Sequence, residues 1–275
     1  DGRTEEIAVA IDKVRSLDLS NRPWDNSYSS IRSPGDVLEL HPYHFYNAEF
    51  RLKNIADADI NPGGNPDEIR YMKIVNEYGW LWLNRDGTPT TLTKDLYKNL
   101  LGKDSTVERR RQLYAAYLAA ETEFWRCHRQ CASVLHFTAL AYSRPDGQTS
   151  DHFTNVENLI YEAEFLKYMP DAFSPVGLML DEWGNEIQAG TPHDYKIIVI
   201  NDLEPEWKGK LFLRIYDNEK IISEKSTDVI IPSFGQTSVK ISVHSPVSPG
   251  NYIVITSLER GSNRPVKSIR EIPFI

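Results

Sequence analysis

The sequence of 275 residues predicts two folds in series, parallel β/α units followed by an all-β sandwich. Three observations predict this. Short apolar runs alternate with helix-periodic stretches about four times before residue 171. After Pro175 the helical period stops, and seven short runs follow in which apolar and polar residues tend to alternate. The unit count is about half of the eight that close a (β/α)8 barrel. The expected fold is therefore α/β, a partial (β/α)8 barrel of about four C-terminal units over residues 1–171, then an immunoglobulin-like sandwich over 172–275. A small α/β domain complete in itself is the alternative.

Taken in order, residues 4–15 place Ile7, Ala10, Ile11 and Val14 at helical spacing. Glu5 and Glu6 open that helix, where carboxylates suit the dipole. A short segment lies around residues 22–24. Residues 37–41, set between Pro34-Gly35 and Pro42, read as a strand. A loop rich in Asn, Pro, Gly and Asp spans 57–68, and residues 71–75 form the next strand. The longest helical pattern runs over 106–130, with Leu113, Tyr117, Ala120 and Phe124 recurring at three or four. Residues 133–137 read as a buried strand and 155–168 as a further helix. The seven later runs are 176–180, 195–201, 210–216, 221–225, 238–243, 252–257 and 266–272. Turn residues such as Asp217-Asn218 and Ser248-Pro249-Gly250 separate them.

Composition excludes several classes. With 40% hydrophobic and 25% charged residues the chain is neither disordered nor fibrous. No apolar run approaches the roughly 20 residues of a membrane-spanning helix, so no membrane span is expected. Net charge is -8, with 20 basic against 26 acidic residues through position 171 and 11 against 13 beyond it. Neither half is a basic module, so no nucleic-acid partner is expected. Two cysteines cannot form a disulfide framework or a cysteine-rich zinc module. Cys127 and Cys131 lie one helical turn apart and read as free thiols. Pro62-Gly63-Gly64-Asn65 lacks the Lys and Ser/Thr of a phosphate loop, and no cofactor is expected.

Glu77 is the sharpest candidate for chemistry. It follows an apolar strand, where a barrel presents its ligand-facing groups, and is flanked by Asn76, Tyr78, Gly79 and Trp80. Aromatics are abundant, with six Trp and fourteen Tyr. Trp24, Trp80, Trp82 and Tyr142 fall at or just after expected strand ends, as do the polar residues Asn26, His41, His44 and His136. Each of these alone could equally be packing or a solvated side chain. His41 and His44 are three apart across a proline, unlike two histidines on one helix face, and no metal site is expected.

Asn76-Glu77-Tyr78-Gly79-Trp80 resembles the nucleophile strand of clan A retaining glycoside hydrolases, especially family 2, the β-galactosidase and β-glucuronidase group. Asp36-Val37 through Pro42-Tyr43 resembles the preceding strand, and Leu17-Asp18 through Arg22-Pro23 the segment before the fifth. Glu123-Phe124-Trp125-Arg126 followed by 134–137 resembles the last helix and strand, and the sandwich follows in the family's domain order. The resemblance implies that Glu77 is the nucleophile and that Tyr43 hydrogen-bonds it. It implies an oligosaccharide substrate, which Trp24, Asn26, His41, His44, Trp80, Trp82, His136 and Tyr142 would hold, and a periplasmic or secreted location. A retaining mechanism needs a second carboxyl about 5 to 5.5 Å from the first. The family's acid/base is an Asn-Glu pair on the fourth strand. Here such pairs occur only at 76–77, 185–186 and 218–219, the last two in the sandwich. The acid/base is thus expected upstream of Asp1 and this chain alone to be catalytically incomplete, with Asp25 or Glu39 as the only substitutes. The missing barrel half, or a second chain, is expected to cover the open sheet edge. The competing reading is a non-catalytic carbohydrate-binding or scaffold protein on a degenerate barrel.

Overall fold

In a computed structural model of the protein the described residues are 5–25, 31, 35–59 and 71–275, with 7 and 8 described by backbone alone. Asn26 and most of the 57–68 loop lie outside them. Helix α1, Glu5–Arg15, opens on Glu5 and Glu6 and closes on Lys13 and Arg15, which matches its dipole at both ends.

Strands β1 (Val37–Leu40), β2 (Met72–Val75) and β3 (Ser133–Val134) form a parallel sheet in that order. Asp25 adds a parallel bridge to Val37 at its edge. The register sets Leu40, Val75 and Val134 side by side. Alternation then decides the faces. Lys73 and Val75 are buried, whereas Met72 and Leu135 are 45% and 50% exposed. One face is thus packed and the other carries open apolar surface.

A long helix, residues 107–128, covers the packed face, and a shorter helix packs beside it. Helix α2 (Lys94–Leu101), absent from the sequence reading, buries Leu96 and Tyr97. Helix α3 (Val107–His128) starts at Thr106, whose hydroxyl accepts from the Arg109 N–H. It buries Leu113, Leu118, Phe124 and Trp125 against the sheet and against α4 (Ala163–Ala172). The helix expected over 155–168 is a correction. Strands β4 (Phe153–Asn155) and β5 (Ile160–Tyr161) make a small hairpin first. Asn155 accepts from the Asn158 N–H to form its turn, and Leu159 takes a left-handed φ of 52°. The helix begins only after Glu162, whose carboxylate caps the Glu164 and Phe165 N–H groups.

Strands β6 (Val176–Leu180), β7 (Pro192–Asn201), β8 (Trp207–Asp217), β9 (Lys220–Ile231), β10 (Gln236–His244), β11 (Gly250–Glu259) and β12 (Val266–Phe274) complete the chain. They form two antiparallel sheets, ordered β10-β7-β6 and β12-β11-β8-β9. Each of the seven expected runs falls inside one of them. Tyr195, Ile197 and Val199 from one sheet meet Leu211, Leu213, Ile215 and Val254 from the other in a single core. The sandwich packs directly on α3. Met179, Ile198 and Ile200 enter the first core. Glu123 of α3 forms a buried ion pair of 2.6 Å with Arg270 of β12, and Ser268 donates to the same carboxylate.

Candidate active site

The C-terminal ends of β1 and β2 lie level, because the Asn76 N–H donates to the Leu40 carbonyl at 3.0 Å. Period-two alternation sends Glu39 and His41 to the same side of β1. There His41 Nε2 meets Glu39 Oε1, and its Nδ1 lies 3.4 Å from Glu77 Oε2. Asn76 Nδ2 donates to Glu39 Oε1 at 3.0 Å. After Pro42 the chain turns into a short 3-10 segment, His44–Tyr46, and the Tyr43 hydroxyl donates to Glu77 Oε2. One imidazole therefore stands between two carboxylates, with a phenol on the second.

The two carboxylates differ in environment. The Glu77 side chain is 29% exposed and that of Glu39 only 5%. Burial pushes the Glu39 carboxyl up, but hydrogen bonds with Asn76, Asp25 and His41 outweigh it and hold it below its ordinary value. Glu39 is thus an ionised anchor for His41, while Glu77 faces solvent with one oxygen fixed.

Beside Glu77 lies an aromatic floor. Gly79 has a φ of 116°, and a Cβ there would sit 3.3 Å from Leu118 Cδ1, so glycine is required. Trp80 follows with a φ of 87°, a strained conformation for a side-chain-bearing residue. That turn sets its ring 5.0 Å from Tyr43, 4.9 Å from Trp82 and 6.3 Å from Tyr46. Trp82 is buried and its indole N–H donates to the Phe137 carbonyl at 2.8 Å. Trp80 stays half-exposed above it, a planar face next to the carboxylate.

Helix α3 pins both strand ends from behind. The Tyr78 hydroxyl lies 2.5 Å from Thr122 Oγ1, and Thr122 donates in turn to the Leu118 carbonyl. His44 stacks between Phe50 and Trp125, with Nδ1 3.5 Å from Glu121 Oε1. Burial pushes the Glu121 carboxyl up to about 7, against the opposing pull of His44. The neighbours of Glu77 and of Tyr43 are thus held by adjacent residues of one helix.

Five of the residues expected at the site meet here: Glu77, Tyr43, His41, Trp80 and Trp82. The structure places the others elsewhere. Trp24 lies beneath the Arg15 guanidinium, 5.3 Å away, near the start of β1. His44 points into the core. His136 sits 5.4 Å from His152 and 6.0 Å from Phe165, and burial pushes its pKa down to about 4. Tyr142 is 46% exposed on a loop under the Arg144 guanidinium. Asn26 lies outside the described residues. Sequence reasoning missed Asn76 as a clamp, Tyr46 on the floor and Glu121 beneath it. The Glu39–His41 spacing was a readable signal. The Asn76–Glu39 contact was not, since it depends on the β1–β2 register. Among the described residues no group of three or more His, Cys, Asp or Glu side chains could hold a metal ion. Among them, too, no helix is long and apolar enough to cross a membrane.

No family model matches the chain, and no curated protein matches it. Among solved structures it is similar to a β-glucosidase from Listeria innocua in complex with glucose, at 12% identity and a TM-score of 0.30, over 37% of this chain and 16% of that one. It is similar also to a cycloisomaltooligosaccharide glucanotransferase from a Paenibacillus species complexed with cycloisomaltoheptaose, at 20% identity and a TM-score of 0.27, over 32% and 12%. A third likeness is to the sporulation control protein Spo0M from Bacillus subtilis, at 11% identity and a TM-score of 0.28, over 36% and 48%. The chain spans less than half the length of each of these proteins. Each likeness is confined to a minority of this chain.

Proposed function

We propose that the chain carries the nucleophile side of a retaining glycoside-hydrolase site acting on O-glycosidic bonds of oligosaccharides. The observation that supports this is the state of Glu77. It is a solvent-facing carboxylate at a strand end, fixed through one oxygen by the Tyr43 hydroxyl and set beside the half-exposed Trp80. In this reading Glu77 Oε1 attacks the anomeric carbon as the bond to the leaving oxygen breaks, giving a glycosyl ester that water later hydrolyses. Tyr43 leaves one carboxylate oxygen for attack, and the Trp80 ring stacks on the C–H face of the sugar. Glu39 is a poor candidate for the acid, because its hydrogen bonds hold it ionised. Asp25, the other substitute, is hydrogen-bonded to that same carboxylate, and in this reading the proton donor comes from outside the described residues. The open apolar face of the β1–β3 sheet, with Met72 and Leu135 exposed, fits a partial (β/α)8 barrel over 1–171 that a further barrel half or a second chain covers. Family 2 likeness and a periplasmic or secreted location belong to the same proposal, as does the division at 171/172.

Glycosyl fluorides test it, because fluoride leaves with its electron pair and needs no acid. A panel of 2-deoxy-2-fluoro-glycosyl fluorides should add one fluoroglycosyl mass to the protein, on the peptide that contains Glu77. Glu77→Gln should abolish the adduct. Absence of an adduct with every sugar, together with Trp fluorescence that responds to sugars, would favour the binding-protein reading instead. The poor fit of Glu39 as an acid is the one observation on that side.

A further inference from the structure

A second site lies away from Glu77, between α3 and the sandwich. There α3, α4, the 3-10 segment Leu52–Asp57 and strands β11 and β12 enclose a cavity of about 360 Å³. That is within the range of small-molecule sites, roughly 300 to 1,000 Å³. Its floor is apolar, made by Leu113, Ala116, Tyr117, Ile253 and Ile269. Its rim carries three cations, Arg51, Lys53 and Arg109, and one carboxylate, Glu271.

These cations are poorly neutralised. Among the described residues the Arg51 guanidinium donates to the carbonyls of Ala48, Phe50 and Asn99. Among the described residues no carboxylate pairs with Arg51 or Lys53. Arg109 shares Glu271 at 3.2 Å, and Arg270, deeper in, is already paired with Glu123. The whole chain carries a net charge of -8, so a cationic mouth runs against its composition. Arg109 also stands in the first turn of α3, where helix electrostatics favour acids over bases. Its local partners are Glu271 and the Gln112 side chain, which accepts from Arg109 Nη1 at 2.9 Å.

We propose that this cavity binds a small organic anion, an aryl or alicyclic carboxylate whose ring lies on the apolar floor and whose charge meets Lys53, Arg51 and Arg109. The site is independent of Glu77 and of any reaction there. Chemistry sets the selectivity. A neutral molecule of the same shape gains the apolar contact only, and a short carboxylate gains the charge only.

Calorimetric titration of the intact chain with 3-phenylpropanoate, 3-phenylpropan-1-ol and propanoate tests it. The acid should bind at least about tenfold more tightly than the alcohol or propanoate. Lys53→Glu should weaken the acid by about fivefold or more and leave the alcohol unchanged. Ala116→Trp should fill the floor and abolish binding of both, with an unchanged melting temperature showing that the fold survives. Equal binding of acid and alcohol, no effect of Lys53→Glu, or no binding of the acid at millimolar concentration would each overturn the proposal.

Discussion

Strands β8 and β9 meet across the turn at Asn218 and Glu219 and pair over eleven registered positions. Strands β1 and β2 must bridge from residue 40 to residue 72 and pair over four. Strand β3 starts only at residue 133 and pairs with β2 over two. Three of the five pairings in the sandwich join neighbours in the chain, β6–β7, β8–β9 and β11–β12, at low loop-closure cost, and the two that do not, β7–β10 and β8–β11, run over nine and seven positions. The parallel sheet has too few ladder bonds to support itself. It is held instead by side chains of α3: Thr122 on Tyr78, Glu121 on His44, and a buried row from Leu113 to Trp125. The candidate chemistry sits on the region that depends on its supports, as functional sites commonly do.

Two substitutions sharpen that contrast. The larger effect belongs to the sandwich. Leu213 is fully buried between the two sheets, so Leu213→Ala should cost about 2 to 5 kcal/mol in urea denaturation. The labelling rate of Glu77 in the protein that remains folded should not change. A large fall in that rate would mean that the two regions are not separable.

The smaller effect belongs to the support beneath the site and varies with pH. Burial raises the Glu121 carboxyl from 4.5 to about 7. Between these values the unfolded chain releases the proton and the folded chain keeps it. Its contribution to stability is complete below the lower value and is lost as pH rises through about 7, a total of about 3 kcal/mol. Glu121→Gln has no proton to lose. It should be more stable than the parent above pH 7 and should converge with it near pH 4.5. Stability curves that run parallel from pH 4.5 to 8 would contradict this assignment.

How much was legible in the sequence follows the same division. The sandwich strands show alternation and turn residues, signals that are local, and all seven were readable. The hairpin β4–β5 was mistaken for helix because its turn depends on a single Asn155 cap and on Leu159 in a left-handed conformation. At the site, Glu77, His41, Trp80 and Trp82 fall at expected strand ends, and Tyr43 was singled out by the family resemblance alone. Local geometry explains two of the misplaced residues. His44 opens the 3-10 segment, whose turn carries its ring onto Trp125 of α3, and His136 shares the parity of Val134, on the face turned to the helices. Asn76 and Glu121 act through register and packing, which one sequence does not display.

The most direct test of the central claim, a nucleophile without its proton donor, is the leaving-group dependence of glycoside cleavage by this chain. Aryl glycosides from dinitrophenol to unsubstituted phenol, in whichever sugar labels Glu77, would span the range. The account predicts turnover with dinitrophenolate as leaving group, and a rate that falls steeply as the leaving group becomes more basic, with no detectable cleavage of the phenyl glycoside. Phenyl and dinitrophenyl glycosides cleaved at similar rates would mean that a working acid already stands beside Glu77, and would contradict it.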